Sequence, residues 1–183
     1  LPFQSGSNRV LDAMNRRYTR EKYLALLDYA YSKMPDLSVT SDVIVGFPGE
    51  TDENFESLSE FADELKFDRY GCFAYSAEED TPAAIMENQI DEDVKIERAS
   101  IMNSQQQRIF EDKLEALVGK ELTVIVDGFD EDEMLYFGRS YMDAPDVDGR
   151  VYFKSPKKRI AEGEFAEVLI EEAIDYDLVG RAL

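Results

Sequence analysis

The fold class of this 183-residue chain is decided by one stretch, Asp42-Val43-Ile44-Val45-Gly46-Phe47-Pro48-Gly49-Glu50-Thr51. Its apolar, β-branched first half predicts a buried strand, and Thr51 is of a residue type that caps helices. The turn between them contains glycines, which let the backbone approach a ligand closely, and a proline that stiffens it. Ligands of α/β proteins bind at this edge of the sheet, so we predict Val45, Gly46 and Phe47 as ligand-binding residues. The alternative is a purely structural strand-to-helix turn.

Strand-like and helix-like segments alternate on both sides of this stretch. In order they are a helix over 19–34, a strand over 37–45, a helix beginning after Thr51, a strand over 69–75 and a long helix over 91–117. This order predicts parallel α/β architecture. Two or three strands are too few to close a barrel, so the pattern indicates a barrel fragment or an open sheet.

After Gly119 the pattern changes to short strands separated by turn-forming pairs of residues. Strands are expected over 121–126, 135–140, 151–153, 165–170 and 177–183, with turns at Asp127-Gly128, Asp148-Gly149 and Glu162-Gly163. Five strands in a segment of this length predict a small antiparallel OB-like β-barrel. The two domains are therefore expected to comprise residues 1–117 and 118–183.

The composition excludes several classes of function. The chain has one cysteine, Cys72, and no histidine, so it has no internal disulfide, no all-cysteine metal site and no Ser-His or Cys-His nucleophile. We predict no catalytic and no metal-binding residue in this chain. No apolar run approaches the roughly 20 residues of a membrane span, and no targeting segment is recognisable, which predicts a cytoplasmic protein without membrane contact.

The formal net charge of −20 is spread over both predicted domains. Such a surface repels phosphate at long range and attracts basic partners. The alternative is that the charge only keeps the protein soluble.

Three further groups of residues are candidates for ligand binding in the first domain. Tyr75 and Ser76 end a predicted strand with an aromatic ring and a hydroxyl, which suit adenine. Gln4 and Ser5 lie in another polar strand-to-helix turn. Arg17, in the cluster Arg16-Arg17-Tyr18, could hold a carboxylate through two hydrogen bonds. Each group also has a structural alternative, namely packing of the tyrosine or a solvated surface arginine.

The second domain contains an acidic loop over 143–149 and one basic run over 154–159. Asp143, Asp146 and Asp148 resemble a calcium loop superficially, but Pro145 and the missing distal glutamate argue against one. A loop that recruits a partner is the preferred interpretation. The basic run is short and has acidic neighbours, so RNA contact is the less favoured alternative.

Four motifs together resemble the methylthiotransferase family of radical S-adenosylmethionine enzymes. They are Leu1-Pro2-Phe3-Gln4-Ser5-Gly6-Ser7, Val10-Leu11-Asp12-Ala13-Met14-Asn15-Arg16, Ile44-Val45-Gly46-Phe47-Pro48-Gly49-Glu50-Thr51, and Tyr75-Ser76 through Thr81-Pro82-Ala83. The resemblance implies the C-terminal part of a partial TIM-like radical SAM barrel followed by a TRAM barrel. The run from Gly138 to Gly149 is similar to the branch that methylthiolates an aspartate of small-subunit ribosomal protein S-twelve. The sister branch, which modifies adenosine in transfer RNA, is the alternative.

The resemblance also implies cofactors: S-adenosylmethionine and two [4Fe–4S] clusters, each cluster held by three cysteines. None of those six cysteines is present, so this chain is expected to begin inside a longer enzyme and to be inactive alone. The resemblance places Gln4, Ser5, Arg17, Val45, Gly46, Phe47, Tyr75 and Ser76 around S-adenosylmethionine, with Asp143, Asp146 and Asp148 recruiting the substrate. Half a barrel exposes an edge strand, which predicts dimerisation or domain swapping of the isolated chain.

Overall fold

The computed structural model describes residues 2–155 and 159–183. The helices are α1 (Asn8–Ala13), α2 (Arg20–Lys33), α3 (Asp52–Leu65) and α4 (Glu92–Glu115), with a one-turn 3₁₀ helix at Pro82–Ile85. The strands are β1 (Thr40–Val45), β2 (Arg69–Ala74), β3 (Glu121–Asp130), β4 (Leu135–Arg139), β5 (Val151–Lys154), β6 (Phe165–Ile174) and β7 (Asp177–Ala182).

The chain forms two compact units, one ending at Ile109 and the other beginning at Phe110. The predicted division near Val118 stays a prediction. Among the described residues, no helix has both the length and the apolar composition needed to cross a membrane.

The first unit is an α/β unit built on parallel strands. β1 and β2 pair in parallel from Thr40 opposite Arg69 to Val45 opposite Ala74, and Gln4 adds a parallel bridge to Val43. Helix α2 begins where Thr19 Oγ1 accepts the Lys22 N–H, as its sequence predicts. The α/β fold class predicted for this part of the chain is confirmed.

Alternate residues of the two strands face the helices and form the core. Val43 and Val45 of β1 are fully buried, and Tyr70 and Cys72 of β2 are nearly so. The Phe3 ring, also fully buried, stacks on Phe61 with 4.4 Å between ring centroids. Burial of such side chains is the main source of stability for a unit of this size.

The outer edge of β2 is covered by a side chain instead of another strand. The Cys72 N–H donates to Asn103 Oδ1 at 3.3 Å, and the Cys72 carbonyl accepts from Asn103 Nδ2 at 3.4 Å. The amide of Asn103 therefore satisfies the same two groups that a neighbouring strand would have used.

The second unit is a closed barrel with the strand order β3-β4-β5-β7-β6. Four of its pairs are antiparallel, whereas β5 and β7 pair in parallel from Val151 opposite Leu178 to Lys154 opposite Arg181. The five-stranded barrel is confirmed, but its prediction as wholly antiparallel is wrong. Directions cannot alternate around a ring with an odd number of strands, so at least one pair must be parallel.

Strand β3 is longer than the sequence suggested. Asp127-Gly128, predicted as a turn, is instead a bulge between Val126 and Gly128, after which β3 continues to Asp130. A Cβ on Gly128 would lie 2.6 Å from Cζ of Phe137. The absence of a side chain at Gly128 therefore accommodates the Phe137 ring, and Gly128 does not form a turn.

The buried thiol of Cys72 makes the first unit sensitive to alkaline pH. Burial, with a smaller contribution from the negative charge of Glu50, raises the pKa of Cys72 from 9.0 to about 12. Between these values the folded chain keeps a proton that the unfolded chain releases. The stability linked to this proton is complete below about pH 9 and is lost as the pH rises toward 12.

We expect the free energy of unfolding to fall more steeply with pH in the wild type than in Cys72→Ala, by up to ~1.4 kcal/mol per pH unit between pH 9 and 12. Urea denaturation at pH 8, 9.5 and 11 measures both slopes. Tyr23, whose pKa burial raises to about 12, contributes equally to both chains. Equal slopes would contradict the assignment to Cys72.

Candidate ligand-binding site at the strand edge

The carboxyl ends of the parallel segments meet at one edge of the first unit. The Ile44 N–H donates to the Gln4 carbonyl at 2.9 Å, and the Tyr75 N–H donates to the Val45 carbonyl at 2.8 Å. Gln4, Val45 and Tyr75 thus belong to three adjacent segments that end on the same side. This is the edge at which α/β folds bind ligands.

The turn after β1 has a backbone that only glycine adopts easily. Gly46 and Gly49 have φ angles of 73° and 79°. A Cβ on Gly46 would lie 2.3 Å from Cγ of Lys95, whereas a Cβ on Gly49 would have only Arg9 Nη1 nearby, at 3.8 Å. Gly46 is therefore required for close packing against α4 as well as for its backbone conformation.

A buried ion pair lies directly behind this turn. Glu50 Oε1 accepts from the Gly46 N–H at 2.8 Å and from Arg98 Nη1 at 2.7 Å. The side chains are 1% exposed for Glu50 and 7% for Arg98. Arg98 Nη2 also donates to Asp52 Oδ1 at 2.6 Å. Burial raises the pKa of Glu50, and the Gly46 N–H and the Arg98 charge oppose that shift.

The edge also carries an aromatic pair with an unsatisfied hydroxyl. The rings of Phe47 and Tyr75 meet edge to face, with centroids 5.2 Å apart. Tyr75 Oη is buried and has no hydrogen-bond partner among the described residues. The ammonium of Lys95 lies 5.5 Å from the centroid of the Tyr75 ring. This arrangement offers a planar ligand an aromatic contact, and the Tyr75 hydroxyl becomes available for a hydrogen bond once ligand binding exposes it.

The remaining predicted residues take different positions. Gln4 is buried with a φ of 69°, and its Oε1 accepts from Arg16 Nη2 at 3.0 Å. Ser5 is fully buried, and its Oγ accepts from the Ser7 N–H at 3.3 Å. Arg17 and Ser76 are exposed. The arginine that contacts Gln4 is therefore Arg16, the neighbour of the one singled out from the sequence.

The described residues contain no group of three or more Cys, Asp or Glu side chains arranged to hold a metal ion. Cys72 is the only cysteine of the chain, and it is buried in the core. A three-cysteine site for an iron–sulfur cluster cannot be assembled from this chain.

The acidic loop of the second unit is shaped by its own carboxylates. Asp143 Oδ2 accepts from Ser140 Oγ at 2.6 Å, and Asp148 Oδ2 accepts from the Ala144 N–H at 2.7 Å. Asp146 is exposed at the tip with a φ of 60°. Next to the loop, Arg139 forms a two-bond ion pair with Asp127, at 2.8 and 3.0 Å. Of the three predicted recruiting residues, Asp146 is the one that faces solvent.

Two of the predicted features fall partly outside the described residues. The basic run over 154–159 includes Pro156, Lys157 and Lys158, which are not described, while Lys154 and Arg159 are exposed. The first motif of the family resemblance includes Leu1, which is not described either.

Substitutions in the Gly46 turn separate backbone strain from side-chain packing. We expect Gly49→Ala to lower the free energy of unfolding by ~1–2 kcal/mol, the cost of a left-handed alanine. Gly46→Ala adds a clash with Lys95 and should cost ~1–3 kcal/mol more. Thermal denaturation measures both, and Lys95→Ala in the Gly46→Ala background should recover part of the difference. Equal losses for the two alanine variants would contradict packing of Lys95 against Gly46.

Comparison with known proteins gives a family match within each unit. Residues 1–62 match the radical SAM superfamily, and residues 118–183 match the TRAM domain. The "Ribosomal protein uS12 methylthiotransferase RimO" of Lachnoclostridium phytofermentans is 40% identical over 182 residues, covering 100% of this chain and 41% of the relative. The proteins of that name from Clostridioides difficile and Bdellovibrio bacteriovorus are 43% and 42% identical, covering 100% and 99% of this chain and 41% and 39% of the relative.

The chain thus spans about two fifths of the length of these relatives. The two family matches together include more than half of the chain, in the order that the sequence motifs predicted. The chain is therefore similar, over its whole length, to ribosomal protein uS12 methylthiotransferases, with segments that match the radical SAM superfamily and the TRAM domain.

Proposed function

We propose that this chain is part of an enzyme that methylthiolates an aspartate of ribosomal protein S-twelve. In that enzyme it contributes the wall that supports S-adenosylmethionine and the barrel that recruits the substrate. The observation that carries this proposal is the similarity at 40–43% identity, over the whole chain, to relatives whose name states activity on ribosomal protein uS12. The strand edge and the acidic loop supply a physical basis for the two roles.

The residues at the strand edge fit an adenosyl group. Tyr75 Oη is buried and has no partner among the described residues, so a ligand whose binding exposes it gains a hydrogen bond at the adenine edge. Phe47 supports the Tyr75 ring, and the Val45–Gly46 backbone allows close approach. Gln4 and Ser5 shape the adjacent segment, while exposed Arg17 and Ser76 are free to reach the ribose or the methionine carboxylate. With the clusters, S-adenosylmethionine supplies the radical that abstracts hydrogen from an unactivated carbon.

The clusters do not fit this chain, because its single cysteine is buried in mid-strand. No step of the reaction is therefore assigned to a residue of this chain. We assign to its residues the binding and orientation of S-adenosylmethionine and the recruitment of the substrate.

Removing the Tyr75 hydroxyl separates ligand binding from stability. Because Tyr75 Oη has no protein partner, Tyr75→Phe should leave the free energy of unfolding unchanged or raise it by up to ~1 kcal/mol. We expect the Kd for S-adenosylmethionine to rise by about 5–10-fold, the loss of one hydrogen bond, measured by calorimetry on the 183-residue chain.

Tyr70→Phe is the matched control, because Tyr70 Oη donates to the Met102 carbonyl at 2.7 Å. That variant should lose ~1 kcal/mol of stability and keep the wild-type affinity. If Tyr75→Phe bound S-adenosylmethionine as well as the wild type, the adenosyl site would lie elsewhere.

The second unit suits a basic protein better than a nucleic acid. Residues 118–183 contain 16 acidic and 8 basic residues. An acidic surface accelerates encounter with a cationic protein and opposes the approach of phosphates. In the acidic loop, Asp143 and Asp148 hold the backbone and Asp146 is presented to solvent. We assign Asp143 and Asp148 to shaping the recruiting loop and Asp146 to direct contact with the substrate.

Charge reversal tests this assignment. Asp146→Lys should weaken binding of ribosomal protein S-twelve by about 3–10-fold at low salt and less at high salt, because the lost contact is electrostatic. Asp132→Lys is the matched control, since it makes the same charge change at another exposed position of the same unit. Surface plasmon resonance with competing transfer RNA measures both variants.

Equal weakening by the two variants would assign the effect to net charge and not to the loop. Tight, salt-sensitive binding of transfer RNA that ribosomal protein S-twelve does not displace would favour the transfer-RNA-modifying branch instead.

Dimerisation or domain swapping of the isolated chain stays a prediction. Asn103 covers the β2 edge at Cys72, and Tyr18 Oη is within hydrogen-bonding distance of the Pro2 and Phe3 carbonyls, at 3.2 and 3.0 Å. The backbone groups available for pairing with another copy are therefore fewer than a bare half-barrel would present.

A further inference from the structure

Glu50 has more hydrogen-bonding capacity than its surroundings use. Its Oε1 is shared by the Gly46 N–H and Arg98 Nη1, while its Oε2 is buried and has no partner among the described residues. A carboxylate in this state is costly, because desolvation is only partly offset by a single charged neighbour. Buried ion pairs contribute little net stability compared with apolar residues of similar volume. Stability alone is therefore a poor reason for this pair.

Glu50 is also not needed to begin helix α3. Thr51 accepts the Asn54 N–H at 3.3 Å, and Asn54 Oδ1 accepts the Thr51 N–H at 3.2 Å, which completes a capping box. The start of α3 is thus capped without the side chain of Glu50. The contacts of Glu50 are directed backward, into the turn that follows β1.

These contacts fix the turn from its inner side. Glu50 ties the Gly46 N–H to Arg98, and the Glu50 N–H donates to the Phe47 carbonyl at 2.9 Å. Arg98 is itself held at a second point by Asp52. The first N–H and the last carbonyl of the two-residue segment Gly46–Phe47 are thus both bonded to Glu50, and the Phe47 ring that this segment carries packs against Tyr75.

We propose that Glu50 and Arg98 are positioning residues, which hold the two-residue segment Gly46–Phe47 so that the Phe47–Tyr75 pair is preorganised for the adenosyl group. The proposal deepens the adenosyl-binding role stated above and rests on it for the identity of the ligand. The positioning itself is a property of this chain that is measurable without ligand. Preorganisation of this kind lowers the cost of ordering the site on binding.

The first experiment needs no ligand. In NMR spectra of the 183-residue chain, Glu50→Gln should speed hydrogen exchange of the Gly46 amide by at least about fivefold and weaken the Phe47–Tyr75 ring contacts, because a neutral acceptor bonds less strongly. Glu64→Gln is the matched control, since Glu64 pairs with Arg20 on the surface of the same unit at 2.9 Å. It should change neither signal.

Arg98→Lys provides a second variant if Glu50→Gln does not fold. Lysine keeps the positive charge but lacks the planar fork that bonds Glu50 and Asp52 together. Faster Gly46 exchange with little change in Tm supports positioning. Unchanged Gly46 and Phe47 signals in the folded variants, or a drop in Tm with no local change, overturn it.

The second experiment adds S-adenosylmethionine. We expect its Kd to rise about 5–10-fold in Glu50→Gln and to stay unchanged in Glu64→Gln. Wild-type affinity in a variant whose turn has loosened would overturn preorganisation. If the wild type binds no S-adenosylmethionine while Glu50→Gln still loosens the turn, the adenosyl assignment fails, and Glu50 and Arg98 remain the residues that position the turn.

Discussion

The strand edge of the first unit depends on one carboxylate that has been taken out of water. Glu50 is stable there only because the Gly46 N–H and Arg98 approach it within hydrogen-bonding distance. Arg98 belongs to α4, so that helix must pack directly behind the turn. The same packing brings Lys95 against Gly46 and beside the Tyr75 ring. The turn, helix α4 and the aromatic pair therefore meet around this one buried ion pair.

Local signals in the sequence were sufficient to predict most of the helices and strands. Thr19 and Thr51 cap their helices through backbone N–H groups within the first turn, so the evidence for them is contained in a few residues. Strand β1 is shorter than its apolar composition suggested, because the Leu37 N–H returns to the Met34 carbonyl in a turn. The parallel β5–β7 pair follows from closure of the ring, which no short window of sequence contains.

The candidate site was predictable only in part. Gly46, Phe47 and Tyr75 stand at the ends of predicted strands, and this position singles them out as candidates from the sequence. Arg98, the ion-pair partner of Glu50, lies 48 residues away on α4. Which residue of α4 reaches Glu50 depends on how that helix packs. Lys95 is 7% exposed, although a lysine in a charged helix is usually solvated. The contact between Arg16 and Gln4 was not predicted from the sequence, and Arg17, predicted to face the ligand, is exposed.

Charged residues act differently in the two units. At the strand edge, Glu50 and Arg98 are buried and face each other, so their charges act over a few ångströms and fix geometry. In the barrel, the excess of acidic over basic residues acts at long range but does not define the geometry of a binding site. Shape comes from the acidic loop, where Asp143 and Asp148 are used internally and leave Asp146 at the tip. The acidic loop thus combines a long-range attraction for cations with one carboxylate presented in a defined place.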